Sequence, residues 1–373
     1  MKKKKLEVFG LIVNIVLTIL FTLILLITFN KHITNIPEEQ EIILLLIIFL
    51  SIYITMYLQL IIHELGHLIF GLLSGYKFSS FRIGNIMLLK HGKNFKIKKM
   101  KIAGTAGQCL MSPPDLKNEK MPVLLYNLGG ALLNLISCII FFIIYIFVKD
   151  NSFISVIFEL SITYGIYFAA LNAIPMKTGT IDNDGYNALS LIINPNSQKA
   201  MWTQLKVNEL LSKETRIKNM PEEWFYIPKA NEMNNNLIAT IAVLTCNRLM
   251  DQHNFEEANN KMKQILRAKT AIVGIHRNLL VCDRIYCELL NDNKTSAKKL
   301  MTEELKNFMN SMKDYPSIIR TNYTYSLLYE NDIEKANKYK KQFIEVSKTY
   351  PYQTDIRTEK ELIDIVTNLN KSK

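Results

Sequence analysis

Polar positions thin out into four long gaps along the first half of the chain. Residues 6–29 are apolar, a second run opens near Ile42 and continues to Leu73, and two more cover 122–148 and 153–174. Each is long enough for an α-helix to cross a hydrocarbon core of ~30 Å, which takes ~20 residues. The second run exceeds a straight crossing, so it must tilt or emerge from the bilayer as a helix. Between the second and third runs the pattern changes. Residues 78–90 and 95–103 read as two strands joined by a turn at His91-Gly92-Lys93-Asn94, with Lys96, Lys98 and Lys101 set among apolar neighbours. Residues 104–108 and then Pro113-Pro114 break this pattern up. Past Asn187 the sequence becomes soluble in character. Residues 189–236, with Pro195, Pro221 and Pro228, read as an irregular connector holding one helix around 202–211.

An internal repeat follows. Ala258, Ala297 and Ala336 stand 39 residues apart (297 − 258 and 336 − 297), and Leu266, Leu305 and Ile344 keep the same step. Small residues in fixed register, each with an apolar residue eight further on, suit stacked helical hairpins similar to tetratricopeptide repeats, although the usual period there is ~34. The expected fold is therefore mainly α: a polytopic membrane bundle of about four helices, a small β-hairpin insertion and a soluble helical-repeat domain. The expected division is a signal-anchor span at 1–35, a transmembrane core at 36–190, a linker at 191–235 and the repeat domain at 236–373.

The net charge of +12 does not point to nucleic acid. Many lysines flank the apolar runs, at 2–5 and between 77 and 120, where they orient a membrane protein with its basic loops inside. The first run is too long for a cleaved signal and lacks a small-residue cleavage site, so it anchors. Four crossings from an inside start return the tail to the cytoplasm, and both termini are expected there. Cys109, Cys138, Cys246, Cys282 and Cys287 show no paired framework and read as reduced thiols. Heavy use of Ile, Lys and Asn suits a bacterial source.

Chemistry enters in the second apolar run, at His63-Glu64-Leu65-Gly66-His67. On a helix the two histidines are four residues apart and share a face, with Glu64 beside them. That is the arrangement in which two imidazoles hold a zinc ion and a carboxylate handles the proton of a water on it. Ionisable groups in such a run are costly and default to a functional reading. The second and fourth runs both descend towards the inside, so the region after Pro175 reaches the depth of His63 and His67. Asp182 and Asp184 are then both candidates for a third ligand. Asn127, Gly129, Gly130 and Asn134 in the third run suit close helix packing with cross-helix hydrogen bonds. Glu159 in the fourth is either a structural partner or a functional acid.

These motifs resemble the site-2 protease family of intramembrane zinc metalloproteases. His63-Glu64-Leu65-Gly66-His67 matches its H-E-x-x-H. Gly130-Ala131-Leu132-Leu133-Asn134 is similar to its G-P-x-x-N element with Ala131 replacing the proline. Asn172-Ala173-Ile174-Pro175 and Asp184-Gly185 match its N-x-x-P and Asp-Gly. The likeness covers about residues 42–191. It implies zinc bound by His63, His67 and Asp184, the last preferred over Asp182 because a glycine follows it. It also implies Glu64 as the catalytic acid–base and Asn134 and Asn172 as substrate-binding residues. The implied activity is hydrolysis of peptide bonds in membrane-spanning or membrane-bound substrates within the cell membrane. The helical tail would bind a protein partner. The competing reading is an inactive membrane-anchored adaptor, which would be expected to lose Glu64 or a ligand.

Overall fold

The computed structural model describes residues 2–34, 36–92, 94–100, 105–177 and 182–371. It is mainly helical and separates into two compact units, Met1–Ile83 with Ala106–Pro195, and Gly84–Thr105 with Asn196–Lys373. The first unit begins with α1 (Lys2–Ile33) and α2 (Glu38–Leu73). The link between them is shorter than the expected 30–41. Helix α1 runs on to Ile33, and α2 starts directly after Pro37, whose fixed φ of −60° leads into a helix. Glu38, Glu39 and Glu41 lie in its first turn, where the helix dipole favours negative charge.

Four strands follow: β1 (Lys77–Ile83), β2 (Ile86–His91), β3 (Asn94–Lys99) and β4 (Gly107–Ser112). This corrects the two-strand expectation. The stretch 78–90 is two strands, parted at Gly84, whose φ of +58° is a turn conformation that a side chain would oppose. Strand β4 occupies residues read as a break, and pairs antiparallel with β1 in the first unit. The expected turn does join β2 and β3, which pair from Ile86↔Lys99 to His91↔Asn94. Lys93 and the end of the expected second strand at 101–103 lie outside the described residues.

The first unit continues with α3 (Leu124–Val148), α4 (Ser152–Ala173) and α5 (Asp184–Ile193). Among the described residues, four helices, α1 to α4, are long and apolar enough to cross a membrane. Their outer faces are apolar, as at Ile42, 72 % exposed, and Phe147, 82 % exposed. The inner face of α2 changes character along its length. Leu44 and Ile48 are buried first, then Ser51, Thr55, Gln59, His63 and His67, each three or four residues from the last. Helix α2 crosses α3 at glycines. A Cβ on Gly66 would stand 2.2 Å from Gly129 O, so the backbones meet without side chains between them. Glu159 of α4 is paired to α1, through Lys31 and through His32 Nε2 at 3.0 Å.

In the second unit, Met87 and Leu89 of β2 are buried in the same core as the helices of the tail. Those helices are α6 (Pro195–Ser212), α7 (Asn236–Asp251), α8 (Phe255–Arg267), α9 (Gly274–Leu290), α10 (Lys294–Leu300), α11 (Glu303–Ser311), α12 (Pro316–Leu328), α13 (Ile333–Thr349) and α14 (Gln353–Lys371). The expected connector at 189–236 is thus partly helical: α5 and α6 occupy its start, and three short 3-10 turns the rest.

The 39-residue alanine step has a structural counterpart. Ala258, Ala297 and Ala336 are each buried on the fourth residue of a helix, α8, α10 and α13. Each helix is preceded by a left-handed residue, His253, Asp292 or Asn331, with φ of 60°, 55° and 55°. The apolar register is not kept: Leu305 is buried in a separate helix, whereas Ile344 is 51 % exposed. All five cysteines are free and buried.

Candidate metal centre

Three side chains from two elements converge in the first unit. His63 and His67 lie one turn apart on the buried face of α2, with their Nε2 atoms 3.2 Å from each other. Asp184, the first residue of α5, brings Oδ2 to 3.1 Å from His63 Nε2 and 3.3 Å from His67 Nε2. One ligand atom from each lies within 4.8 Å of the others, a spacing a single metal ion can bridge.

The donor set fits zinc on its own chemistry. A neutral imidazole offers a lone pair from one nitrogen when the other carries and donates the proton. Here each Nδ1 has an oxygen acceptor, Asn134 Oδ1 at 2.9 Å from His63 and Tyr126 O at 2.7 Å from His67. Both Nε2 lone pairs are thereby directed at the space shared with Asp184. Asp184, as a carboxylate, brings an anionic oxygen to the same space. Two imidazoles and a carboxylate suit a metal that keeps an open position.

A chain of buried amides stands behind the histidines. Asn134 is fully buried and donates Nδ2–H to Gln59 O at 2.9 Å and to Gln59 Oε1 at 2.6 Å. Gln59 in turn donates to Ser161 O of α4 at 2.8 Å. Gly130 lets α3 approach, since a Cβ there would lie 2.4 Å from the His63 ring. Glu64 is buried beside the two histidines, 6 % exposed, and β4 passes over it: a Cβ on Gly107 would stand 2.4 Å from Glu64 Oε1.

The other expected residues fall as follows. Asp182 is turned to Lys177, with Oδ2 3.8 Å from Nζ, while Asp184 faces the histidines. Asn172 donates Nδ2–H to Phe168 O of its own helix at 2.9 Å. Asn134 sits behind His63. Gly185 abuts the end of α4, where a Cβ would meet Ala173 O at 2.2 Å, which accounts for glycine after the aspartate. Gln59, Tyr126, Gly107 and Asn183 were not singled out from the sequence. Gln59 alone had a signal there, four residues before His63 on the same helical face.

The family model of Peptidase family M50 matches residues 51–315, more than half of the chain and all of the residues of this centre. No curated protein and no solved structure matches.

Proposed function

The chain belongs to Peptidase family M50, and from that we propose an intramembrane zinc endopeptidase that cuts membrane-spanning or membrane-bound peptide and protein substrates. One observation carries this reading. His63, Glu64 and His67 of α2, a helix apolar enough to cross a membrane, meet Asp184 of α5. An inactive adaptor would have no use for three such costly groups in one span.

His63, His67 and Asp184 would hold the metal. Zinc, when bound, supplies Lewis acidity that polarises the scissile carbonyl and makes a water acidic enough to attack near neutral pH. Glu64 takes the proton of the attacking water and passes it to the leaving amine. Asn134 holds His63 in the tautomer that presents Nε2. A substrate helix already has its amides bonded, so its cleaved segment must unwind. Strand β4 runs past Glu64 as the last strand on its side of the sheet, and its outer edge can accept that segment as an added strand. Asn172 gives its amide hydrogen to Phe168 O, and its side-chain oxygen is the group we assign to a substrate N–H.

The lysine-flanked apolar runs support a multi-pass assignment to the cell membrane with both ends in the cytoplasm. The tail is assigned as a tetratricopeptide-like surface for a protein partner, on the recurring left-handed turn and buried alanine. The metal assignment is tested by zinc analysis of purified variants. His63→Ala, His67→Ala and Asp184→Ala should each lose most of the zinc, and Asp182→Ala should retain it. Full zinc in His67→Ala would end the proposal, and loss in Asp182→Ala alone would move the third ligand.

A further inference from the structure

We infer that Asn183 is the positioning residue that fixes Asp184 at the metal centre, an inference that rests on the zinc-peptidase reading above. Helix α4 ends at Ala173, and Pro175 follows two residues later. A residue at 175 would ordinarily offer its N–H to the carbonyl four back, Leu171 O, but proline has no N–H. The Asn183 side chain supplies the missing donor. Its Nδ2 donates to Leu171 O at 2.7 Å and to Ile174 O at 2.6 Å. Its Oδ1 accepts from Met176 N–H at 3.0 Å and from Tyr186 N–H at 2.9 Å, the second bond capping α5. A carboxamide has two donor hydrogens and two acceptor lone pairs, and here all four are used.

Three of those partners belong to the end of α4 and the turn after it, and the fourth to the first turn of α5. One side chain therefore joins two elements otherwise separated by the 175–183 loop. The neck is closed further by Asn183 N–H to Met176 O at 3.4 Å and by the backbone bridge between Lys177 and Asp182. Asp184 is the next residue, at the first position of α5. Its distance to the two imidazoles is thus set by where Asn183 ties α5 to α4. Partners of this kind behind metal ligands are typically worth ~10–100-fold in metal affinity.

The test is zinc affinity of the full-length, detergent-purified protein by chelator competition, together with the visible spectrum of the Co2+-loaded protein. Asn183→Ser keeps an oxygen that can cap α5 but removes both donors to the end of α4; Asn183→Ala removes all four bonds. Both should bind zinc ~10–100-fold more weakly and show a Co2+ spectrum displaced from that of the wild type. The metal-free Asn183→Ser protein should still unfold in one cooperative transition, at a somewhat lower temperature than the wild type, so that the weaker binding is read on a folded protein. Asp184→Asn separates the two claims. If it binds zinc as tightly as the wild type, the metal assignment itself fails and the inference falls with it. If it loses zinc while Asn183→Ser keeps the wild-type affinity and Co2+ spectrum, Asn183 is a helix cap only and the inference is overturned.

Discussion

An imidazole that binds metal through one nitrogen must give the other N–H away, and inside an apolar bundle few acceptors are at hand. For His63 that acceptor is Asn134, itself held by Gln59. Asn134→Ala should therefore weaken zinc binding by ~10–100-fold with the helices intact. Gln59→Ala should do less, because the Asn134 bond to His63 survives it. Chelator competition on both variants checks the order, and a larger effect at Gln59 would contradict it. The three converging side chains were legible in the sequence, the i, i+4 histidines from local spacing and Asp184 over Asp182 from the family resemblance carried by the glycine after it. What stands behind them was not. Gln59 meets Asn134 across 75 residues, and Asn183 reads locally as a loop residue until the carbonyl orphaned by Pro175 is beside it.

Helices α2 and α3 approach at Gly66, Gly129 and Gly130, and the same contact that packs them brings His63 to Asn134. Gly66→Ala places a Cβ 2.2 Å from Gly129 O, which backbone must move to relieve. Overpacking of this kind costs about 1–3 kcal/mol, so the variant should unfold at lower temperature in detergent and lose zinc affinity as His63 moves off Asn134. Unchanged unfolding and zinc binding would show that the crossing tolerates a methyl group. The four long apolar helices were readable because long apolar runs leave few alternatives. The strands were less so: Gly84 divides a run that looks continuous, and β4 reads as a break because Gly107 is chosen for closeness to Glu64 rather than for strand propensity. Helix α5 was hidden by its start at Asn183-Asp184-Gly185, residues that read as a turn until the cap is seen.

The second unit of the molecule is not continuous in sequence, because the β2–β3 hairpin, which falls between α2 and α3 along the chain, shares the core of the tail. Met87, 1 % exposed, is part of that core, and Met87→Ala should destabilise it by about 2–5 kcal/mol. Trp202 and Trp224, which pack edge to face in this unit, give a fluorescence signal for its unfolding. The same signal reports a pH effect. Burial pushes the Asp355 carboxyl up from 3.8 to about 7, with Glu359 and Asp251 adding to the shift, whereas Arg320 is paired with Asp283 and Glu359. The folded chain then holds a proton that the unfolded chain releases. Asp355 should make stability of this unit fall as pH rises from 3.8 to about 7 and level off above; Asp283 and Glu359 are also raised by burial, so Asp355→Asn should shallow the fall rather than abolish it. A variant with the wild-type slope would assign the dependence to another group. For the molecule as a whole, the proposed activity is cleavage of a membrane-spanning segment with Glu64 as the proton carrier. The most direct measurement is cleavage of a single-span substrate in detergent or liposomes by zinc-loaded wild type and zinc-loaded Glu64→Gln. The wild type should cleave and the variant should lose at least ~100-fold, with zinc content equal in the two. Cleavage at the same rate by both proteins would contradict the proposal.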